Sequence, residues 1–177
     1  MDDVQIRPVA ASDLPRLMGI DHSATSEYVW QLEIHREAWQ VIATFREVRL
    51  PRPVTLTYPH DPFALADNWT ERAAVLVTVL GADPVAYLAL ADDHGGAAWV
   101  RDLVVEPALR RRGIGGRLLD AARSWAGQQG CRRLFLETQS RNQGAIRLAQ
   151  KHGYEFCGYN DHYYSTQDVA LFFAKAA

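Results

Sequence analysis

"RDLVVEPALRRRGIGGRLLDAARSWA" runs from Arg101 to Ala126. Its first part, Leu103-Val104-Val105, reads as the end of an apolar strand, and Pro107 stops that strand. From Gly116 the apolar period changes. Leu118, Ala122, Trp125 and Ala126 fall on one helical face, and Gly130 stands where a helix is commonly closed. Between strand and helix lie Arg110, Arg111 and Arg112, then Gly113-Ile114-Gly115-Gly116 and Arg117. A loop that enters a helix presents unpaired backbone N–H groups, and glycines let an anion come close to them. The helix dipole and the arginines favour negative charge there. Arg110 to Arg117 therefore reads as a cradle for a pyrophosphate. A glycine turn with solvated arginines is the bland alternative. The strand before, the amphipathic helix after and the arginine run weigh against it.

The phosphate ligand is narrowed by what the loop lacks. A P-loop needs Lys-Ser or Lys-Thr after its last glycine, and here Arg117-Leu118 follow. A dinucleotide fingerprint needs a third glycine or alanine near Leu118 and a first strand from a parallel unit. The strands upstream are of another kind. "AAVLVTVL", "VAYLALA" and "AAWVRDLVV" alternate with the turns "GADP" and "DDHGG", which is an antiparallel meander.

After the helix come the strand "RRLFLETQ" and the helix "NQGAIRLAQKHG", with Asn142 at its start and Gly153 at its end. "YEFCGY", "HYYS" and "DVALFFAKA" read as short closing strands. Near the N-terminus a short strand precedes a helix, with Ser12 as candidate cap. "EYVWQLEIHREAWQVIATFREVRLPRP" is ambiguous: its first half suits a helix. From Trp39 the alternation suits a strand that Pro51 and Pro53 end. Pro51 to Trp69, with four prolines, reads as a long loop. The whole is α/β: a mixed sheet flanked by helices in one domain of residues 1–177.

Bulk properties exclude several classes. The net charge of −2 gives no overall attraction to nucleic acid or anionic lipid, so a basic site must be local. No apolar run approaches the roughly 20 residues that span a bilayer. "MDDVQIRPVA" lacks a basic-then-apolar leader, and Cys131 and Cys157 cannot frame a disulfide scaffold, so a cytoplasmic protein is expected. The six histidines show no metal-ligand spacing, and no metal is expected; His94 lies in a turn. Neither a Gly-x-Ser-x-Gly nor a Cys-x-x-Cys occurs, which favours direct transfer chemistry over an acyl-enzyme.

"RRRGIGGRLLDAARSWA" resembles the acyl-CoA motif of the GNAT N-acetyltransferases, with Arg110, Gly113 and Gly115 matching its core pattern. "NQGAIRLAQKHGYEFCGY" resembles the family's second motif through Asn142, Ala145, Leu148, Gly153 and Tyr154. The resemblance covers about residues 72 to 159. "LETQSRN", with "RLPRP" upstream and "YY" downstream, is similar to the streptothricin acetyltransferase branch. A single-domain GNAT-like fold with a mostly antiparallel mixed sheet is implied, as is acetyl transfer from acetyl-CoA to a primary amine of a small molecule or peptide. A module that binds acyl-CoA without catalysis is the alternative.

The resemblance also implies roles. Arg110, Arg111, Arg112, Gly113, Ile114, Gly115, Gly116 and Arg117 would hold the pyrophosphate. Leu103, Val104 and Val105 would bind the pantetheine arm through their backbone, with an N–H there polarising the thioester, and Asn142 would hold the pantetheine or the departing thiol side. The family's tyrosine, the acid toward the CoA thiolate, is replaced by Ala149. Tyr164, Tyr163, Tyr154 or a water could substitute, Tyr164 first. A lysine-like amine of pKa about 10.4 costs roughly 4.6 kcal/mol to deprotonate at pH 7, so a base is wanted. Asp102 and Glu137 are carboxylates in strands expected to be buried, and are the candidates. Tyr28, Trp30, Trp39, Tyr58 and Trp69 lie where the family shapes its acceptor site, though core packing is the commoner role. An exposed apolar tail strand would suit a homodimer.

Overall fold

The apolar alternation of residues 74–105 forms the middle of the sheet. β4 (Ala74–Leu80), β5 (Asp83–Asp92) and β6 (Ala97–Val105) are the expected antiparallel meander. The described residues of this computed structural model are 4–93 and 95–177, so His94 lies outside them. β1 (Val4–Pro8) pairs antiparallel with β4 at one edge. α3 (Ile114–Gln128) crosses from β6 to β7 (Arg133–Gln139), which runs parallel to β6. α4 (Gln143–Lys151) leads to β8 (Glu155–Asn160), and β9 (Ala170–Ala176) lies between β7 and β8. The order is β1-β4-β5-β6-β7-β9-β8, a mixed and mostly antiparallel sheet flanked by helices.

Both faces of the sheet are covered, which is why its central strands read as continuous apolar runs. On one face Leu88, Leu90 and Val100 pack with Leu118 and Leu119 of α3 and Ile146 of α4. On the other, Val77, Tyr87 and Ala89 pack with Leu14 and Leu17 of α1 (Leu14–Met18) and Leu65 of α2 (Ala64–Asn68).

Residues 24–56 differ from their expectation. They form a long hairpin of β2 (Ala24–Glu37) and β3 (Gln40–Leu56), with no helix in the first half. Leu32 and Ile34 are half-buried between exposed Glu33 and His35, a period of two. Trp39 sits in the turn, 99% exposed. The prolines do not end β3. Ser26 faces Val54 while Tyr28 already faces Arg49, so Pro51 and Pro53 fall in a bulge where no ladder bond is lost. The hairpin docks through Trp30 and Phe45, which pack on Phe156, Tyr159 and Phe173. The Trp30 N–H donates to the Ser140 carbonyl at 2.9 Å.

"HYYS" is a loop, and part of the expected loop after Pro51 belongs to β3 and α2. The tail strand β9 is interior to the sheet and largely buried, so it offers no exposed edge for a dimer. Asp13, rather than Ser12, caps the first helical turn: its carboxylate accepts from the Ala10 N–H at 2.8 Å.

Asp13 is 4% exposed and takes a two-pronged ion pair from Arg7, at 2.7 and 2.9 Å. The Arg7 hydrogen bonds hold the Asp13 carboxyl below its ordinary pKa, against the upward push of burial. A depressed folded-state pKa gives stability that is present above the unfolded value and lost as pH falls through the folded one. Asp13→Asn should therefore cost about 2 kcal/mol at pH 7. The deficit should shrink as pH falls below about 4, the ordinary carboxylate value, toward the lower folded-state pKa at which the wild type loses its charge. Urea unfolding at both pH values measures it.

Candidate active site

β6 carries one residue more than its neighbour accommodates. Ala89 of β5 faces Asp102 and Leu90 faces Val100, leaving Arg101 as the bulge. A bulge turns the following side chains over and sharpens the local twist. Ala98 and Val100 point to the α3 face, as do Leu103 and Val105 after the bulge. Val104 goes to the opposite face. Pairing of β6 with β7 runs from Ala97↔Arg133 to Val100↔Leu136 and stops at the bulge. Beyond it the strands part, although β6 continues to Val105 and β7 to Gln139. The edge of β6 that faces β7 thus has no strand partner from Arg101 onward.

At the end of that edge lies the glycine-arginine loop. Gly113 precedes α3 with φ +85°, and Arg111 is also left-handed at φ +64°. No side chain caps the helix. Its first intrahelical bond is Arg117 N–H to the Gly113 carbonyl at 3.1 Å, so the N–H groups before Arg117 stay free of helix partners. A β-carbon added at Gly115 would sit 3.2 Å from Leu148 and 3.9 Å from Leu103, so this backbone lies tight against the pocket wall. Gly116 has another role. A β-carbon there would overlap the His152 ring at 2.3 Å, so this glycine lets α3 meet the end of α4.

The arginines divide the same way. Arg111 and Arg112 are exposed. Arg110, the lead residue of the motif, is committed to the protein. Its guanidinium donates to the carbonyls of Val105 (2.9 Å), Ser23 (2.7 Å) and Asp21 (2.7 Å), tying the loop after α1 to the end of β6. Arg117 reaches the Val4 carbonyl at 3.2 Å.

A pocket opens where β6 and β7 diverge. Its walls include Arg101, Leu103, Glu137, Asn142 and Tyr164, five residues that the sequence singled out or placed beside one that it did. The Asn142 side chain caps α4 by accepting from the Ala145 N–H at 3.1 Å. Glu137 accepts from Arg101 at 2.8 Å and from the Tyr163 hydroxyl at 3.1 Å, both at Oε2. Tyr164 is 6% exposed; burial first, then the Glu137 charge, push its phenol far above the ordinary tyrosine pKa. Tyr154 is elsewhere, buried in the core under Lys175.

Asp102 stands behind the wall. Its Oδ1 accepts from the Tyr58 hydroxyl and from His60 Nδ1 (2.9 Å), and Arg72 lies 3.7 Å from Oδ2. Burial is the largest single influence and pushes its pKa up. The bonds from His60 and Tyr58, with the charges of His60 and Arg72, outweigh it and hold the group ionised below its ordinary value. Tyr58 and His60, with His22, line the pocket in front of it. Neither histidine carried a motif in the sequence. Only the fold of β3 brings residues 57–60 to β6, and no local pattern encodes that.

The profile of the acetyltransferase (GNAT) family matches residues 32–154. The chain belongs to the GNAT family. It is therefore an acetyltransferase, in a family whose acyl donor is acetyl-CoA. A 56-residue stretch is 46% identical to an uncharacterised N-acetyltransferase of Bacillus subtilis, covering 32% of this chain and 38% of that one. Streptothricin acetyltransferase of Streptomyces lavendulae is 25% identical over 87% of this chain and 82% of its own length. A crystal structure of a Bacillus anthracis protein assigned as a streptothricin acetyltransferase, in complex with acetyl coenzyme A, superimposes with a TM-score of 0.77. The identity there is 21%, over 98% of this chain and 99% of that one. No helix among the described residues of this GNAT chain is long and apolar enough to cross a membrane.

Arg110 generates a direct expectation. Losing three bonds from a charged donor to carbonyls should cost about 2 kcal/mol in Arg110→Gln, since part of the guanidinium is solvated. Acetyl-CoA affinity should fall less than stability does. Urea unfolding and calorimetry separate the two; intact stability with lost affinity would instead put Arg110 in contact with the ligand.

Proposed function

We propose that this GNAT protein transfers the acetyl group of acetyl-CoA directly to a primary amine of a small molecule or peptide. The observation that carries the proposal is the continuity of the parted β6 edge with the uncapped N-terminus of α3. A flexible thioester arm ending in a pyrophosphate fits that shape. The fold likeness to a protein seen with acetyl coenzyme A supports it. Kinship with streptothricin acetyltransferases favours a cationic small-molecule amine as acceptor.

Backbone N–H groups of residues 111–116 would hold the pyrophosphate, with Arg111 and Arg112 adding charge. The backbone of Leu103, Val104 and Val105 would bind the pantetheine arm, and an N–H there would polarise the acyl carbonyl. The Asn142 amide would lie on the thiol side of the pocket. Asp102 and Glu137 would flank the place where the amine loses its proton. Neither is a free carboxylate, because each is bonded to cationic or hydroxyl partners. Tyr164, which lines the pocket, would replace the phenol missing at Ala149, itself buried in α4. A phenol held so far up is a weaker acid than a thiol. Its part is then to donate a hydrogen bond to the departing sulfur, not to give its proton away.

Two measurements test this reading. Gly115→Glu places charge in the cradle and should weaken acetyl-CoA binding at least about tenfold, about 1.4 kcal/mol, with Gly115→Ala much milder. Unchanged affinity by calorimetry would remove the cradle. Tyr164→Phe should lower turnover about tenfold, the low end for a positioned donor, with binding and melting temperature near wild type. A wild-type rate would assign the tyrosine to packing. The assay is CoA release with an amine panel that includes streptothricin, polyamines and peptide N-termini; binding without release from any amine would favour a non-catalytic acyl-CoA module.

A further inference from the structure

We infer that His60 is the base that takes the proton from the acceptor amine, and that Asp102 and Tyr58 are the positioning residues that fix its ring. The inference rests on the acetyl-transfer reading above. Two histidines line the pocket, and their bonding separates them. His22 is fully used: Nδ1 lies 2.6 Å from the Ile20 carbonyl and Nε2 lies 3.0 Å from the Tyr87 hydroxyl. His60 has one nitrogen engaged, Nδ1 at 2.9 Å from Asp102 Oδ1. Its Nε2 makes no hydrogen bond to any described residue, and its ring is on the pocket wall with a third of its surface open.

The chemistry of the bond sets the tautomer. Asp102 is an ionised carboxylate and can only accept, so Nδ1 carries the imidazole proton and Nε2 presents a lone pair. The Tyr58 hydroxyl donates to the same Oδ1, and Tyr58 stays a donor because burial and then the Asp102 charge push its phenol well up. Arg72 balances the far oxygen at 3.7 Å. Asp102 bonds the ring and Tyr58 packs edge-on against it at 5.5 Å; His22 lies against Tyr58, Tyr87 against His22, and Arg72 against Asp102.

The location is right for the step. Asp102 directly follows the bulge at Arg101, where the parted edge of β6 begins. An imidazole held 2.9 Å from that side chain stands beside the carbonyl that the edge would polarise. As the amine nitrogen forms its bond to the acyl carbon, its proton passes to Nε2. The carbon–sulfur bond then breaks, CoA departs as thiolate beside the Tyr164 hydroxyl, and the imidazolium returns its proton to water.

His60→Gln keeps a polar side chain on a half-exposed loop position. Turnover should fall at least about a hundredfold, as for a positioned base, while KM and acetyl-CoA affinity move little. Added imidazole should restore part of the rate in His60→Gly. Asp102→Ala removes the acceptor and should lower kcat and abolish the sheltered Nδ1–H proton resonance of His60, which is read by NMR without substrate. A wild-type enzyme that acetylates an amine while His60→Gln keeps its rate overturns the assignment alone. So does a sheltered Nδ1–H resonance that persists in Asp102→Ala. A wild-type protein that binds acetyl-CoA but acetylates no amine overturns the acetyl-transfer reading and this inference together.

Discussion

β6 can pair with β5 along its whole length only by bulging out Arg101, and much of the molecule follows from that one unmatched residue. A regular strand would put Ala98, Val100, Asp102 and Val104 on a single face. With the bulge, Ala98 and Val100 join the core under α3, while Val104 joins the core under α1 and α2. Asp102 turns toward the Tyr58–His60 loop. The same twist ends the pairing with β7 at Val100 and leaves the edge of β6 beyond it without a strand partner. Backbone groups cost free energy unless something bonds them, and the proposed pantetheine arm would supply that bonding.

Two carboxylates border the gap, and both are buried: the side chains of Asp102 and Glu137 are 7% and 3% exposed. An uncompensated buried carboxylate costs several kcal/mol, so each is bonded to a counter-charge. Arg101 and Tyr163 serve Glu137; His60, Tyr58 and Arg72 serve Asp102. Pairing has a chemical consequence. A carboxylate already bonded to such partners is a poor lone base but a good anchor. In the proposed mechanism Asp102 is the anchor and His60 the group that meets the amine.

Local chemistry made the central architecture legible before any coordinates. The meander, the glycine-arginine loop and the two motif helices each carry their own signal: turn glycines, a change of period, an asparagine cap. Asn142 caps α4 as its position implied, and Glu137 and Tyr164 share one pocket wall. The hairpin of residues 24–56 was not legible. Its aromatic residues fit two periods, and the bulge that admits Pro51 and Pro53 depends on what β2 presents opposite them. His60 was hidden for a related reason. The acid next to it in sequence, Asp61, turns to the Phe63 N–H instead, and its partner Asp102 is 42 residues away. Arg110 shows the reverse case, a motif residue whose guanidinium serves three backbone carbonyls.

The central claim is that the acyl donor lies along the edge of β6 that the bulge frees from β7. Hydrogen exchange resolved to single amides, with and without acetyl-CoA, tests it most directly. The account predicts new protection within residues 101–105 and 111–116, and little change in β1, in the β2–β3 turn or along β8. Unchanged exchange in residues 101–105, with protection gained elsewhere, would contradict it.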